Sequence, residues 1–420
     1  MLGLAPRLMT LLNEQGMDKP TPIQARAIPE VMNGRDVMGL AQTGTGKTLA
    51  FGLPLIHHAM GVGTKPAPRK VRALVLAPTR ELVNQIAQTL YTYVKGTHLK
   101  INRVVGGASI GAQIKALERG TDILVATPGR LMDLIDRRAV YLDETEFLVL
   151  DEADQMLDMG FIHALRKIAP LLAEDRQTML FSATMNKQMS EIAASYLRNP
   201  VRIEVTPQGK AADKVTQEVH FISQAAKTDK LISLLARHPG EMSLVFGRTK
   251  HGSERLMKQL SAAGFAAGSI HGNKSQSQRE RTLQAFRDGT IKVLVATDVA
   301  ARGIDIPGVR HVYNFELPNV PENYIHRIGR TARAGRDGAA VALCSSAEMG
   351  ELRSIEKVMG ITIPVASGQP FAEEPGAKKP ARGNGGGRRR FGAGGGGNGG
   401  GGKPAQNRNS RPARRTTRAA

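Results

Sequence analysis

The chain has 420 residues, 41% of them hydrophobic, enough for two α/β domains of ordinary size with real cores. Its 58 Lys and Arg against 37 Asp and Glu leave a formal charge of +21, which calls for a polyanionic partner, nucleic acid or an anionic surface. No apolar run reaches the roughly 20 residues that span a bilayer, no signal-peptide pattern opens the chain, and a single cysteine, Cys344, excludes an internal disulfide. The expectation is a cytoplasmic protein that touches nucleic acid and no membrane.

Leu4, Leu8, Leu11 and Leu12 recur at helical spacing over residues 2–15, with Gly16 as the stop. Pro20, Thr21 and Pro22 then form a rigid turn into a second helix that carries Gln24. The apolar run Asp36–Leu40 reads as a buried strand, and Ala41-Gln-Thr-Gly-Thr-Gly-Lys-Thr48 follows it, ahead of a helix starting near Leu49. Strand, glycine-bearing loop, Gly-Lys-Thr and helix make a P-loop, with Ala41 where the first glycine usually stands. The backbone N–H groups of Thr43, Gly44, Thr45 and Gly46 face a polyphosphate. Lys47 reaches its β and γ phosphates, and the Thr48 hydroxyl ligates Mg²⁺. Pro54 is expected to kink or end the helix.

Strands are expected at 73–77, 101–105, 123–126, 147–150, 178–181 and 201–205, alternating with helical stretches. They lack polar alternation, as parallel strands covered on both faces do. That pattern predicts a doubly wound domain over residues 1–207, with a polar linker at 208–215. A second series follows over 216–366, with strands at 218–222, 244–246, 267–270, 293–296, 311–314 and 340–344 and a closing helix Met349–Met359. It carries no second P-loop. From residue 367 the composition collapses to Gly, Arg, Pro and Asn with 3 Lys, 9 Arg and 2 Glu, a charge of +10. Such a segment predicts disorder and a sequence-blind hold on RNA.

Asp151-Glu-Ala-Asp154 ends the apolar strand 147–150. Carboxylates at the carboxyl end of a strand face the ligand crevice of an open α/β sheet. Phosphoryl transfer to water needs a Mg²⁺-holding Asp and a water-activating Glu in that place. Gln24 offers a carboxamide that can pair with both N6 and N7 of adenine, a pattern that guanine reverses. Arg330 and Arg333, three apart on an expected helix, share one face.

With Pro78-Thr-Arg-Glu-Leu82, Gly106-Gly107, Thr127-Pro-Gly-Arg130, Ser182-Ala-Thr184, Gln276–Arg279, Ala296–Asp305 and His326–Arg333 in this order, the chain resembles a DEAD-box RNA helicase, most similar to the bacterial RhlE-type group. The resemblance covers residues 2 to about 365. It implies two RecA-like domains that close over ATP and one RNA strand. It implies that Lys47, Asp151, Glu152, Arg330 and Arg333 serve catalysis: Asp151 holds Mg²⁺ with Thr48, Glu152 is the general base, and the two arginines are fingers. Asp305 is implied at the ribose. RNA is implied at Thr79, Arg80, Gly107, Thr127 and Arg130 on one domain and Thr249, Arg279 and Thr297 on the other. Ser182 and Thr184 couple hydrolysis to RNA release through Asp154 and His326. Met17 stands where the family has an aromatic, and Ala332 where many members have Gly. The implied activity is ATP-dependent separation of short RNA duplexes and remodelling of RNA–protein complexes, within ribosomal or RNA-decay complexes. An ATP-gated RNA clamp and a DNA-directed relative are the alternatives.

Overall fold

The computed structural model describes residues 2–41, 44–205, 215–301, 306, 308–332 and 337–371. The expected site residues Thr43, Asp305 and Arg333 lie outside the described residues, as do 206–214 and the expected tail from 372 onward.

Two sheets of seven parallel strands form the frame. The first contains β1 (Val37–Leu40), β2 (Val71–Leu76), β3 (Ile101–Val104), β4 (Thr121–Ala126), β5 (Phe147–Leu150), β6 (Gln177–Ser182) and β7 (Val201–Glu204). The second contains β8 (Val215–Phe221), β9 (Met242–Gly247), β10 (Ala267–Ile270), β11 (Val293–Thr297), β12 (Val309–Asn314), β13 (Gly338–Cys344) and β14 (Val365–Ser367). Their orders are β3-β4-β2-β5-β6-β1-β7 and β10-β11-β9-β12-β13-β8-β14. Adding seven to each number of the first order gives the second, so the sheets are topological copies.

The reason lies in the strand sequences. Along β2, Ala73 and Val75 pack into the core on one face while Leu74 and Leu76 pack into the core on the other. Ile123 and Val125 against Leu124 and Ala126 in β4 do the same, as does Val149 against Leu148 and Leu150 in β5. With successive side chains on opposite faces, an unbroken apolar run demands helices on both. The second sheet has its own two cores, around Phe246, Phe286 and Tyr324 on one face and Val245, Val295 and Leu343 on the other.

Four local expectations are corrected. The first helix is Pro6–Glu14, not 2–15, because Pro6 suits a first turn where its missing N–H is no loss. The P-loop helix starts at Lys47 and runs through Pro54 to Gly61. Every residue from Leu49 to Ile56 is buried, and at roughly 1.5–3 kcal/mol per large apolar side chain this burial outweighs the ~3 kcal/mol an internal proline costs. The helix of the His326–Arg333 stretch is Pro321–Ile328, so Arg330 lies beyond its end rather than on the expected helix. The edge strand β14 was not expected, since its three residues are all exposed and give no apolar signal. Just past it, Phe371 packs edge-on against Phe221 with ring centroids 6.3 Å apart.

Ala332 has φ +55°, a left-handed conformation that costs a residue with a Cβ about 1–2 kcal/mol. Glycine there relieves that strain but loosens the unfolded chain by about 0.4–1 kcal/mol. Ala332→Gly should therefore raise the unfolding midpoint of the second domain by a degree or more; a clear fall would show that the strain is absent.

Candidate active site

In a parallel sheet all carboxyl ends lie along one edge, and the motif residues sit there. The P-loop leaves β1, Asp151 to Asp154 leave β5, and Ser182 closes β6. β5 and β1 flank β6, so three motifs distant in sequence become neighbours. Backbone bonds fix the spacing: Ala41 N–H donates to Ser182 O at 3.0 Å, and Asp151 N–H to Leu76 O at 2.9 Å.

Gly44 and Gly46 have φ of +85° and +92°. At Gly46 a Cβ would lie 2.7 Å from Gln24 Nε2 and 2.8 Å from Thr21 Oγ1, so the turn requires glycine. The Gln24 carboxamide ties the two segments together. Its Oε1 accepts from Thr21 N–H at 2.9 Å, and its Nε2 donates to Gly46 O at 3.1 Å. One lone pair and one N–H remain on that amide for a base. Met17 is 44% exposed beside Tyr93, whose hydroxyl lies 3.0 Å from Gln15 Oε1 and 3.7 Å from the Met17 sulfur.

Lys47 is buried, with its ammonium 3.0 Å from Ala41 O and 3.9 Å from Asp151 Oδ1. Asp151 is buried as well, and desolvation pushes its carboxyl up to about 6 against the opposing pull of Lys47. Glu152 is 3% exposed and holds φ +51°. A buried glutamate in the left-handed region is strained by about 1–3 kcal/mol, a cost that clusters at working sites. Asp151 and the half-buried Thr48 hydroxyl supply hard oxygen donors beside a lysine, a set that fits Mg²⁺ rather than a softer ion.

Asp154 contacts the Ser182–Thr184 segment. Its Oδ2 accepts from Ala183 N–H at 3.1 Å, Thr184 N–H at 2.9 Å and Thr184 Oγ1 at 3.0 Å. Ser182 reaches this knot through Thr184, its hydroxyl donating to Thr184 O at 2.6 Å. His326 lies on the helix Pro321–Ile328 and lines a small cleft with Asp298, Arg327 and Arg330.

The other group of motifs follows β2, β3 and β4 and their counterparts β9, β10 and β11. Thr79, Thr127 and Thr249 occupy the N-caps of the helices Arg80–Val94, Pro128–Asp136 and Lys250–Ala262, and Thr297 ends β11. Thr79 and Thr249 accept from the N–H groups of Leu82 and Gly252. Helix N-termini of this kind are anion sites. Gly107, at φ +76°, lies under the Arg80 guanidinium, so a Cβ there would collide with it. Arg130 donates to Ala108 O at 3.1 Å. Burial, together with the nearby charges of Arg279 and Arg130, pulls Arg80 below the usual arginine range. Arginines from both sheets thus crowd one place.

The sheets meet across this place. Arg279 pairs with Glu81 at 3.2 Å, Gln276 Nε2 donates to Glu81 Oε1 at 3.2 Å, Arg80 donates to Gln276 Oε1 at 3.4 Å, and Asn84 donates to Glu280 at 3.2 Å. Sequence reasoning gave no role to Glu81, Asn84 or Glu280; only the presence of Glu81 inside a basic motif hinted at one. It also missed Arg327, which is buried, clamps Asp298 with two bonds of 2.5 and 2.7 Å, and lies over the Phe246 ring at 4.9 Å. Arg330 is 5% exposed and its Nε donates to His326 O at 3.2 Å, so this arginine is not a solvated surface side chain.

The family model described as DEAD/DEAH box helicase matches residues 21–192, and the helicase conserved C-terminal domain matches 226–335. The chain is 43% identical over 355 residues to the DEAD-box ATP-dependent RNA helicase CshA of Bacillus subtilis, spanning 84% of this chain and 71% of that one. Dbp5 of S. cerevisiae, bound to RNA and ADP BeF3, superposes with a TM-score of 0.78 at 32% identity, over 87% of this chain and 94% of that one. A DEAD box protein from Methanococcus jannaschii is 37% identical, over 86% of this chain and 97% of that one, yet gives only 0.51. The chain belongs to the DEAD-box ATP-dependent RNA helicases.

Proposed function

We propose that this chain hydrolyses ATP at the β1–β5–β6 edge while gripping one RNA strand at the β2–β3–β4 edge, and that closure of the second sheet onto the first links the two. The observation that carries this reading is the contact of Arg279 and Gln276 with Glu81, which completes the arginine cluster only when the sheets meet. A strand bound to fixed arginines and helix N-termini through its phosphates is held without regard to sequence. Bound in one imposed conformation it cannot stay paired, so short duplexes separate locally and RNA–protein complexes are remodelled.

In the chemical step, Lys47 exchanges Ala41 O and Asp151 for phosphate oxygens. Asp151 and Thr48 would hold Mg²⁺, which supplies charge to the β and γ phosphates. Glu152, fixed by its strained backbone, takes a proton from the attacking water. Arg330 reaches the developing charge from the second domain, so turnover waits for closure. Loss of the γ phosphate is transmitted through Asp154 to Ser182 and Thr184, and the sheets part. Gln24 selects adenine, and Met17 covers the ring with a mobile thioether contact in place of an aromatic. Thr43, Asp305 and Arg333 keep the roles that the resemblance implies.

No helix among the described residues is long and apolar enough to cross a membrane, and we place the protein in the cytoplasm, with ribosomal or RNA-decay complexes as its setting. Between the RhlE type expected from the motifs and the CshA type, the relative named above supports the latter. The deciding assay is separation of a short RNA duplex under ATP turnover: strand release with ATP supports a helicase, whereas RNA held without release makes the protein a clamp, and equal stimulation by DNA removes the RNA assignment.

Glu152→Gln should bind ATP and RNA yet turn over at least about 100-fold more slowly, leaving a long-lived ternary complex. Near-normal turnover would remove Glu152 from the base role. Arg330→Ala should cut RNA-stimulated ATPase by about 10³-fold while sparing RNA binding.

Acidity provides a further measure. Asp151 is raised, so its ionised form, the one that attracts Mg²⁺, is lost as pH falls through about 6 rather than near 4. The kcat/KM for MgATP, which reports the free enzyme, should fall with an acid limb near pH 6; a flat profile from pH 7 to 5 would contradict the buried carboxylate. For the basic tail, deletion should begin at Ala372, leaving Phe371 on Phe221. The truncated chain should need more RNA for half-maximal ATPase, with a shallower salt dependence and an unchanged maximal rate. Identical RNA affinity and salt slope would leave the tail without a tethering role.

A further inference from the structure

At the opposite, amino-terminal edge of the second sheet, three side chains converge that the helicase cycle does not use. The helix Lys227–Leu235 runs into a turn in which His238 N–H bonds to Leu235 O at 3.1 Å. Gly240, at φ +83°, folds the chain back so that Glu241 N–H meets His238 O at 3.3 Å, directly ahead of β9. On the adjacent strand β12, His311 pairs with Ser243 of β9. His311 Nε2 is 2.5 Å from Glu241 Oε2, and His238 Nδ1 is 3.9 Å from the same oxygen. The two imidazoles lie 4.2 Å apart, and one donor atom from each of the three residues falls within 4.8 Å of the others.

A structural His–Glu pair accounts for His311 and Glu241 but leaves the second imidazole unexplained. Two nitrogens and one carboxylate oxygen form a ligand set typical of zinc, with a fourth position left for water. Metal–ligand bonds of about 2.0–2.2 Å in a tetrahedron put ligands about 3.3–3.5 Å apart. His311 and Glu241 must open slightly and His238 must swing in from its stacked position. His311 is 7% exposed and anchored in the sheet, whereas the His238 side chain is 44% exposed and able to turn.

We propose that His238, Glu241 and His311 form a binding site for a divalent transition ion of the zinc class, which pins the turn before β9 to β12 at the edge remote from the nucleotide and RNA. The ion takes the place of the proton between His311 Nε2 and Glu241, and the neutral imidazole then carries its single proton on Nδ1. Burial holds His311 low and its bond to His311 holds Glu241 low, so both are in their ligating forms near neutral pH. Arg310 presses on the same groups with positive charge. That disfavours Mg²⁺ or Ca²⁺, held by charge and oxygen, and leaves ions bound by imidazole.

The test uses the full chain, stripped with chelator and free of nucleotide, titrated with Co²⁺ by visible absorption and with Zn²⁺ against a chromophoric chelator. One equivalent should bind, with the intense bands of four-coordinate Co²⁺. His238→Ala and Glu241→Gln should each weaken it by more than the roughly 10–100-fold that an outer-shell partner costs. His163→Ala, on an exposed position elsewhere, should change nothing. Because His238 is exposed, its variant folds normally and keeps Mg²⁺-dependent, RNA-stimulated ATPase. Absence of the Co²⁺ bands in the unmodified chain, or equal uptake by it and both variants, would overturn the site.

Discussion

A strand in an all-parallel sheet can deliver a loop to the working edge only from its carboxyl end, and this constraint organises the whole molecule. With seven strands in the order β3-β4-β2-β5-β6-β1-β7, the edge divides into two stretches. Loops after β1, β5 and β6 hold the P-loop, the Asp151–Asp154 run and Ser182; loops after β2, β3 and β4 hold Thr79, Gly107 and Thr127. The residues proposed for nucleotide chemistry and those proposed for strand binding are therefore neighbours on one edge. Asp154 sits at the junction of the first group and fixes Ala183 and Thr184 by three bonds to a single oxygen.

The second sheet repeats the order and supplies what the first lacks. Thr249 after β9 and Thr297 at the end of β11 stand where Thr79 and Thr127 stand in the first. It carries Arg330, the arginine proposed to act in the chemical step, just past the helix Pro321–Ile328. Among the described residues, polar bonds join it to the first sheet: Arg279 and Gln276 on Glu81, Arg80 on Gln276, and Asn84 on Glu280. Polar pairs of this kind gain little net stability over hydrated side chains, which suits the reversible closure proposed above. A large apolar interface would have locked the protein shut. The buried Arg327–Asp298 clamp and the ion pair of Lys227 with Glu348 lie inside the second domain and keep its own edge rigid.

Among the described strands, the central ones such as β2, β4 and β5 could be read from apolar runs because both their faces are covered. The edge strand β14 has three exposed residues and owes its existence to the neighbouring strand β8. Pro54 misled because the rule against internal proline is local, whereas the burial of residues 49–56 is tertiary. The motifs revealed which residue types come together but not the bonds they make to one another. Gln24 bridges Thr21 and Gly46, and Lys47 rests on its own loop, both invisible in spacing. Glu81 shows the deeper limit, since its partner Arg279 is nearly 200 residues away and no periodicity links them. The His238–Glu241–His311 cluster was equally hidden, joining a turn to a strand 70 residues later.

The central claim is that nucleotide and RNA bind one composite site that exists only when the sheets are closed. It is tested most directly by the affinity of the unmodified chain for single-stranded RNA, followed by fluorescence anisotropy, with ADP and with ADP–beryllium fluoride. The closed site predicts RNA binding at least about tenfold tighter with the fluoride complex than with ADP, and RNA raising the preference for the fluoride complex over ADP by the same factor, as linkage requires. Equal RNA affinity in the two nucleotide states would mean two independent sites and would contradict the account.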